Sequence, residues 1–417
     1  MSTGFIKRSR VVAPVGDLYA SCEEAAADGL LTGEEYTLEY PDGSGNHLYT
    51  TSALFEDKMD FGRSSSINAD GSLMVVGDYE ANVVVEGNVT TNAGKVHVYT
   101  CTATSATRVS TLHEAEGEAT PGNLFGKSVC LSGDGQVLAV GVPGKMLVFP
   151  GPTFVSDAGI VNIYDKVGND FVFRYSITSP FTEANQNFGE AVVLNEDGSV
   201  ILISFPYENG YNSDNSGFVR MDVGPSSASM VSGYVNTHNP GSSPHFGVHL
   251  AANADLSLVC GLSLFDSTLP AGNDVTVFLL EWTGAGYDES SVLTPPIDAT
   301  SGFYNGTLAL SPKGNVMAIG NEYATVGGHG NAGEVLVYHI DNGLPELKGT
   351  LTEAVPQDEG RFGSSLSMSN RTSNILIVGS KGYSPPVEAV DPPPSRYGRV
   401  LRMSLNYATE SRTIDCI

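Results

Sequence analysis

Apolar and small residues alternate with polar ones along most of this chain, in runs that break at short clusters of Gly, Asn and Asp. A period of two lines one face of a β-strand, whereas a helix needs a period near ~3.6. Helical patterns are nearly absent, so the chain reads as all-β. One phrase also recurs. Phe125 to Pro143 reads FGKSVCLSGDGQVLAVGVP, and related copies start at Phe61, Phe188, Phe246 and Phe362, with a degenerate copy near Phe303. The copies lie about sixty residues apart, the spacing of a repeat architecture.

Each copy has the same internal order: a strand, a tight turn, a second strand ending near a glycine, a long polar loop, then a strand of the Gly-x-Val-x-Val-Tyr kind. These third strands begin at Gly94, Gly159, Gly217, Asn273, Gly333 and Gly398, and a more polar fourth strand follows, as in FVFRYSI from Phe171. A four-stranded sheet cannot bury both faces until neighbours stack on it. Six copies therefore predict a β-propeller of four-stranded blades. The last copy lacks a fourth strand, and HLYTTSALF from His47 has the pattern of one. It is expected to complete the last blade and close the ring between the N- and C-terminal strands. A seventh blade built from Glu35 to Phe55 with the C-terminal tail is the competing arrangement.

The turns NADGS, SGDGQ, NEDGS and SPKGN recur because a short hairpin needs positive φ, which Gly and Asn supply cheaply. The Phe-Gly recurs because a large ring fills the seam between blades while Gly lets backbones approach. On these residues the chain resembles the FG-GAP repeat proteins, the propellers that include the integrin α-subunit head, over roughly residues 46 to 410. The resemblance implies a binding platform. The family's calcium turns are rich in carboxylates of the DxDxDGxxD kind. Here the nearest is Asn195-Glu196-Asp197-Gly198, and the others hold Asp70, Asp134 or Lys313, so these turns are expected to be structural. No cofactor and no metal is expected.

Residues 46–417 are thus assigned to the propeller and 1–45 to an appendage, with a short helix from Cys22 to Leu30 capped by Ser21 and a hairpin around Asp42-Gly43. Before them, Phe5, Ile6, Lys7, Arg8 and Arg10 form a basic and apolar arm, expected to add to a neighbouring protein subunit. A net charge of −26 gives a surface that repels nucleic acid and anionic lipid. No run of apolar residues is long enough to cross a bilayer, and no signal peptide is visible. A Cys22–Cys416 disulfide requires the termini to meet. Cys130 and Cys260 sit in apolar strand patterns as small buried hydrophobes.

No nucleophile elbow, zinc motif, phosphate loop or sialidase Asp-box is present, so no enzymatic activity is expected. His238, His245 and His249 are the densest group of possible ligands and read as loop and packing residues. The loops joining strands two and three are long in every copy, so one face is elaborated. Tyr79, Tyr207, Tyr211, Asp214, Tyr323, His329 and Tyr383 lie in them and suit contact with a protein receptor or a glycan. The resulting expectation is a non-catalytic binding or assembly propeller, a structural or attachment component of a virion or other large particle. A free extracellular or cell-surface adhesion protein is the alternative, and a propeller enzyme acting on glycans is the third reading.

Overall fold

The structure, a computed structural model, describes residues 30–39, 46–56, 62–85, 88–102, 106–114, 119–148, 154–180, 185–206, 216–236, 246–264, 275–297, 306–353, 355–369, 374–382 and 398–405. They form strands throughout. In chain order, β1 (Leu30–Glu39) and β2 (Asn46–Glu56) precede the first blade, β3 (Ser64–Ile67), β4 (Leu73–Asp78), β7 (Lys95–Cys101) and β8 (Ala106–Leu112). A small hairpin, β5 (Val83–Val85) with β6 (Asn88–Thr90), is inserted between β4 and β7. Blade 2 is β9 (Ser128–Leu131), β10 (Val137–Val142), β13 (Ile160–Val167) and β14 (Asp170–Thr178), with the hairpin β11 (Leu147–Val148) and β12 (Phe154–Val155) inserted at the equivalent place.

Blade 3 is β15 (Val192–Leu194), β16 (Val200–Phe205), β17 (Gly217–Val223) and β18 (Ala228–Val235). Blade 4 is β19 (His249–Ala252), β20 (Leu258–Leu264), β21 (Val275–Trp282) and β22 (Tyr287–Leu293). Blade 5 is β23 (Thr307–Leu310), β24 (Val316–Asn321), β25 (Glu334–Asp341) and β26 (Leu344–Thr352), and blade 6 begins with β27 (Phe362–Ser369), β28 (Asn374–Ser380) and β29 (Gly398–Leu405). Every blade is antiparallel in sequence order, with its first strand at the axis. The six first strands are neighbours in a ring that closes from β27 onto β3. The protein is a six-bladed β-propeller.

The strand HLYTTSALF completes blade 6: β2 pairs antiparallel with β29, from Ser52 opposite Arg402 to Glu56 opposite Gly398. Among the described residues no seventh blade forms. β1, which contains Glu35, pairs with β2 over its length and also meets β26 of blade 5, with Thr37 opposite Thr352 and Glu39 opposite Thr350. It is an extra strand joining the outer edges of blades 5 and 6. The hairpin expected at Asp42-Gly43 is the β1–β2 pair, whose connecting residues 40–45 lie outside the described residues. The same holds for the helix before Leu30 and for Cys22 and Cys416; Leu30 itself opens β1. Among the described residues no helix is long and apolar enough to cross a membrane.

The second strand of a blade is apolar at consecutive positions because both of its faces meet a neighbouring blade. In β4, Leu73 and Val75 face blade 2, in a cluster with Phe125, Val140 and Ile160. Met74 and Val76 face blade 6, in a cluster with Ile377 and Val400. Six such clusters among the described residues fill the six seams of the ring. Burial of these faces is the main favourable term in holding blade to blade. The outer strand β18 is largely exposed instead, with the consecutive Met230 and Val231 each about half exposed.

The recurrent phrase works at the seams. Phe125, Phe188, Phe246 and Phe362 are fully buried. Phe61 and Phe303 lie outside the described residues. Gly126 follows with φ +85, a region that costs other residues, and its carbonyl accepts the Ser64 hydroxyl of blade 1 at 2.7 Å. The pattern repeats as Ser128 to Gly189 at 2.7 Å, Thr307 to Gly363 at 2.7 Å and Ser365 to Gly62 at 2.6 Å. The same carbonyls press on the glycine that ends the second strand of the preceding blade: a Cβ on Gly141 would lie 2.1 Å from Gly189 O. Both halves of the repeat phrase are therefore read across a seam. Blades 3 and 4 depart from it, with Ala191 and Ser204, then His249 opposite Leu262, at the Ser and Gly places.

Candidate binding face

The two faces of the ring are built differently. On one, the hairpin turns between first and second strands are knit to each other by backbone hydrogen bonds. Ala69 N donates to Gly133 O at 2.8 Å, Asp134 N to Glu196 O at 2.9 Å, Glu196 N to Ala254 O at 2.9 Å, and Ala254 N to Pro312 O at 2.9 Å. The turn carboxylates are engaged inside their own turns. Asp70 Oδ1 accepts from Ser72 N at 2.9 Å, Asp134 Oδ1 from Gln136 N at 2.9 Å, and Asp197 Oδ1 from Ser199 N at 3.0 Å. The Ser199 hydroxyl, at 2.5 Å from Asp197 Oδ1, and then the Ser199 N–H hold Asp197 below the usual carboxylate range. The turn in blade 4 lacks Gly, and Leu256 takes φ +59 while its side chain is buried in the seam.

The opposite face carries the inserted hairpins β5–β6 and β11–β12 and the charged groups around the axis. The third residue of the Phe-Gly phrase projects there: Arg63 in blade 1, Lys127 in blade 2 and Glu190 in blade 3 line, with His249, a cavity of ≈ 80 Å³ at the axial mouth. The second residue past the strand-two glycine is Tyr79 in blade 1, Glu322 in blade 5 and Lys381 in blade 6; Tyr79 meets Arg63 and Lys127, and Lys381 meets Glu322. A second cavity of ≈ 150 Å³ continues along the axis, lined mainly by first-strand residues such as Cys130, Leu194 and Leu310. Burial raises the Cys130 thiol above its ordinary value, and its Sγ accepts from Leu194 N at 3.2 Å.

The charged groups form a partnered arc. Lys381 Nζ sits 3.0 and 2.8 Å from the two oxygens of Glu322, which is almost wholly buried. Lys127 Nζ lies 3.3 Å from Glu190 Oε1. Arg63 and Lys127 both stand over the ring of Tyr79, at 5.2 and 4.7 Å from its centroid, and Arg63 donates from Nη1 to the Tyr79 hydroxyl. Burial, and then the like charges of Arg63 and Arg361, lower the pKa of Lys381 against the opposing pull of Glu322. His249 is pushed down to about 3, first by burial and then by Lys127, Arg63 and Lys381, so its imidazole is neutral at ordinary pH.

Of the residues singled out in the sequence, Tyr79 is 3% exposed and forms the platform of the mouth. Tyr323 is part-exposed with the Arg361 guanidinium 4.3 Å from its centroid. His329 is exposed on the same loop, its Nδ1 3.5 Å from Asp358 Oδ1 and its backbone bridged to Val326. Tyr207, Tyr211, Asp214 and Tyr383 lie outside the described residues, as do the arm residues Phe5, Ile6, Lys7, Arg8 and Arg10, and His238 and His245. Sequence reasoning passed over Arg63, Lys127, Glu190, Glu322 and Lys381. The signal for the first three was the third position of the Phe-Gly phrase, which holds Arg63, Lys127 and Glu190 in three successive copies and Val248 and Ser364 in others.

No family model matches the chain, and no curated protein matches it. Solved structures align over most of the chain but at low identity and low TM-score. Kuenenia stuttgartiensis hydrazine synthase is 14% identical with a TM-score of 0.43, covering 82% of this chain and 90% of that one. A putative 6-phosphogluconolactonase from Bacteroides fragilis is 13% identical with a TM-score of 0.42, covering 85% and 91%. The periplasmic gluconolactonase of Pseudomonas aeruginosa is 15% identical with a TM-score of 0.42, covering 83% and 92%.

Proposed function

We propose that this chain is a non-catalytic binding and assembly propeller of the FG-GAP type. Its setting is a virion or other large particle, where it serves as a structural or attachment component. The observation that supports a binding role is the difference between the faces. One is knit by turn-to-turn backbone hydrogen bonds, and the other gathers the inserted hairpins, the long loops and the polar axial mouth. Loops on a rigid scaffold are where recognition groups are free to vary.

The hydroxyls nearest the mouth support a non-catalytic reading: Ser64, Ser128, Thr307 and Ser365 each donate to a backbone carbonyl of the next blade, which is a packing task. The FG-GAP assignment rests on the Phe-Gly phrase and on its place in the seams. The basic arm, with Lys7, Arg8 and Arg10, docks on a neighbouring subunit in this reading, and the long-loop rim meets a receptor or glycan. The test is sedimentation of the source material with detection of this chain. It is expected in the particle fraction, and a chain lacking residues 2–15 is expected to stay out of that fraction with its thermal transition unchanged. Recovery of the full chain as a free monomer overturns the reading.

A further inference from the structure

We infer that β18, the outer strand of blade 3, pairs antiparallel with β18 of a second copy of this chain, joining two propellers edge to edge about a two-fold axis. The inference concerns the side of the ring and goes beyond the reading of its loop face. β1 and β2 cover the outer sides of blades 5 and 6, merging them into one sheet whose ends are the axial strands β23 and β27. Among the described residues four outer edges remain, β8, β14, β18 and β22. Each turns a row of backbone N–H and C=O groups away from its own blade, the template on which another strand pairs. An outer edge of this propeller does take an added strand: β1 pairs antiparallel with β26, from Thr37 opposite Thr352 to Glu39 opposite Thr350.

Charge decides which edge a second copy can use. A two-fold axis sets the middle of a strand against its own counterpart, so a charge there meets its like, which is destabilising across strands. β8 carries Arg108, β14 carries Arg174 and β22 carries Glu289, each near the middle of its strand. β18 reads ASMVSGYV and holds no charge, and the uncharged run covers Val223 to Asn236. On a chain of net charge −26 it is the one outer edge among the described residues that lets two copies meet without like charges at the axis.

The charged groups around β18 are set back from the edge or engaged. Asp222 lies one strand inward, opposite Ser229. In the paired arrangement it is three strand spacings from its counterpart, about 14 Å, beyond the screening length of about 8 Å at physiological salt. Arg220 stands over the Trp282 ring at 4.5 Å and donates to the Tyr287 hydroxyl at 2.8 Å. Glu289 of blade 4 accepts the Tyr234 hydroxyl at 2.7 Å, and Arg174 of blade 2 donates to Asp165 at 2.8 Å. The strand also exposes apolar surface: Met230 and Val231 near its middle are about half exposed and Val235 is 40% exposed. Pairing about the axis satisfies the outward backbone groups and takes this surface from water in both copies at once. An edge with no charge and no proline is the kind that a soluble protein guards unless it is used.

The experiment is sedimentation velocity on the purified full chain over about a hundredfold range of concentration, with backbone hydrogen exchange measured at both ends of that range. A monomer–dimer equilibrium is expected, with the added protection at high concentration confined to β18. Val231→Lys sets two like charges at the axis and should weaken the dimer by about tenfold or more, with the thermal transition unchanged because the side chain is exposed. Val231→Thr keeps the branched, uncharged shape and should stay within about threefold. Leu344→Lys, at an exposed position of β26, should leave the dimer unchanged, and so should removal of residues 2–15. A monomer throughout, a dimer undiminished by Val231→Lys or equally weakened by Leu344→Lys, or protection gained away from β18 overturns the inference. So does protection of β18 only on adding a peptide of residues 2–15, which would assign the edge to the arm. Particle association in the source material is measured separately, so failure here leaves the binding and assembly reading standing.

Discussion

Replacing Gly141 by alanine adds one methyl group at the seam between blades 2 and 3. In an ordinary strand this exchange stabilises by about 0.5–1 kcal/mol, because glycine loses more backbone freedom on folding. Here the new Cβ would stand 2.1 Å from Gly189 O and 2.2 Å from Ser128 Oγ, where ordinary contact begins at 3.4 Å. Neither oxygen has an easy retreat. Gly189 O accepts the Ser128 hydroxyl at 2.7 Å, and Gly189 N donates to Ser204 O at 3.0 Å, which anchors that peptide to blade 3. Rotating Ser128 away relieves one clash and leaves a buried carbonyl without its donor, at about 1–3 kcal/mol. Moving the blades apart relieves the other and strains a close-packed cluster that contains Ala139, Val161 and Phe188, at about 1–3 kcal/mol. The expected loss is about 2–6 kcal/mol, the sum of those two costs, before the smaller gain from alanine's lower backbone entropy. Urea unfolding followed by circular dichroism and calorimetry measures it. Gly330→Ala is the control: nothing lies within 4 Å of its added Cβ, and its effect should stay within about 0.5 kcal/mol. If Gly141→Ala behaves like Gly330→Ala, the cross-seam account of the repeated glycine is wrong.

Three further outcomes are expected. His249 should remain neutral by NMR from pH 8 down past pH 5. Its folded pKa is depressed to about 3, so the unfolded chain alone takes up a proton below about 6.5. Its contribution to stability is therefore full above that pH and declines as pH falls, by up to about 1.4 kcal/mol per unit. His249→Asn should flatten that slope, and an imidazole titrating near 6.5 would refute the burial argument. Asp197 works in the same direction at lower pH: its lowered carboxyl stabilises above the ordinary carboxylate value of 3.8 and loses that contribution as pH drops through the folded value. Asp197→Ala should cost about 1 kcal/mol in urea unfolding through loss of the turn bonds from Asn195 and Ser199, and calcium should leave the melting temperature of metal-stripped protein unchanged. Removing residues 46–56 takes away β2 and leaves the edge of β29 unpaired, so light scattering should show aggregation; a soluble variant of unchanged stability would mean that β2 does not close the ring.

The repeat made the blades legible because each strand's environment is set locally. The phrase from Phe125 to Pro143 contains its own strand, turn and strand, and the structure places β9, the Asp134-Gly135 turn and β10 there. Closure by HLYTTSALF was legible from a missing fourth strand in the last copy, since an unpaired edge must be completed from somewhere in the chain. The role of β1 was not. Its pairing with Thr350 to Thr352 of β26 joins residues far apart in sequence, and no local pattern in Leu30 to Glu39 specifies that partner.

The candidate site divides the same way. Tyr79 stood out as an aromatic in a long loop, but its burial beneath Arg63 and Lys127 depends on two adjacent blades packing at a fixed angle. Sequence alone determined the six-fold repeat and the turn chemistry, because these follow from side-chain periodicity and backbone φ within a few residues. Only the tertiary structure decided which residues converge at the axis. Arg63, Lys127 and Glu190 meet there because ring closure brings the same position of successive repeats to one point, with His249 from the next position of blade 4 beside them, and the charges those positions carry add in space rather than along the chain.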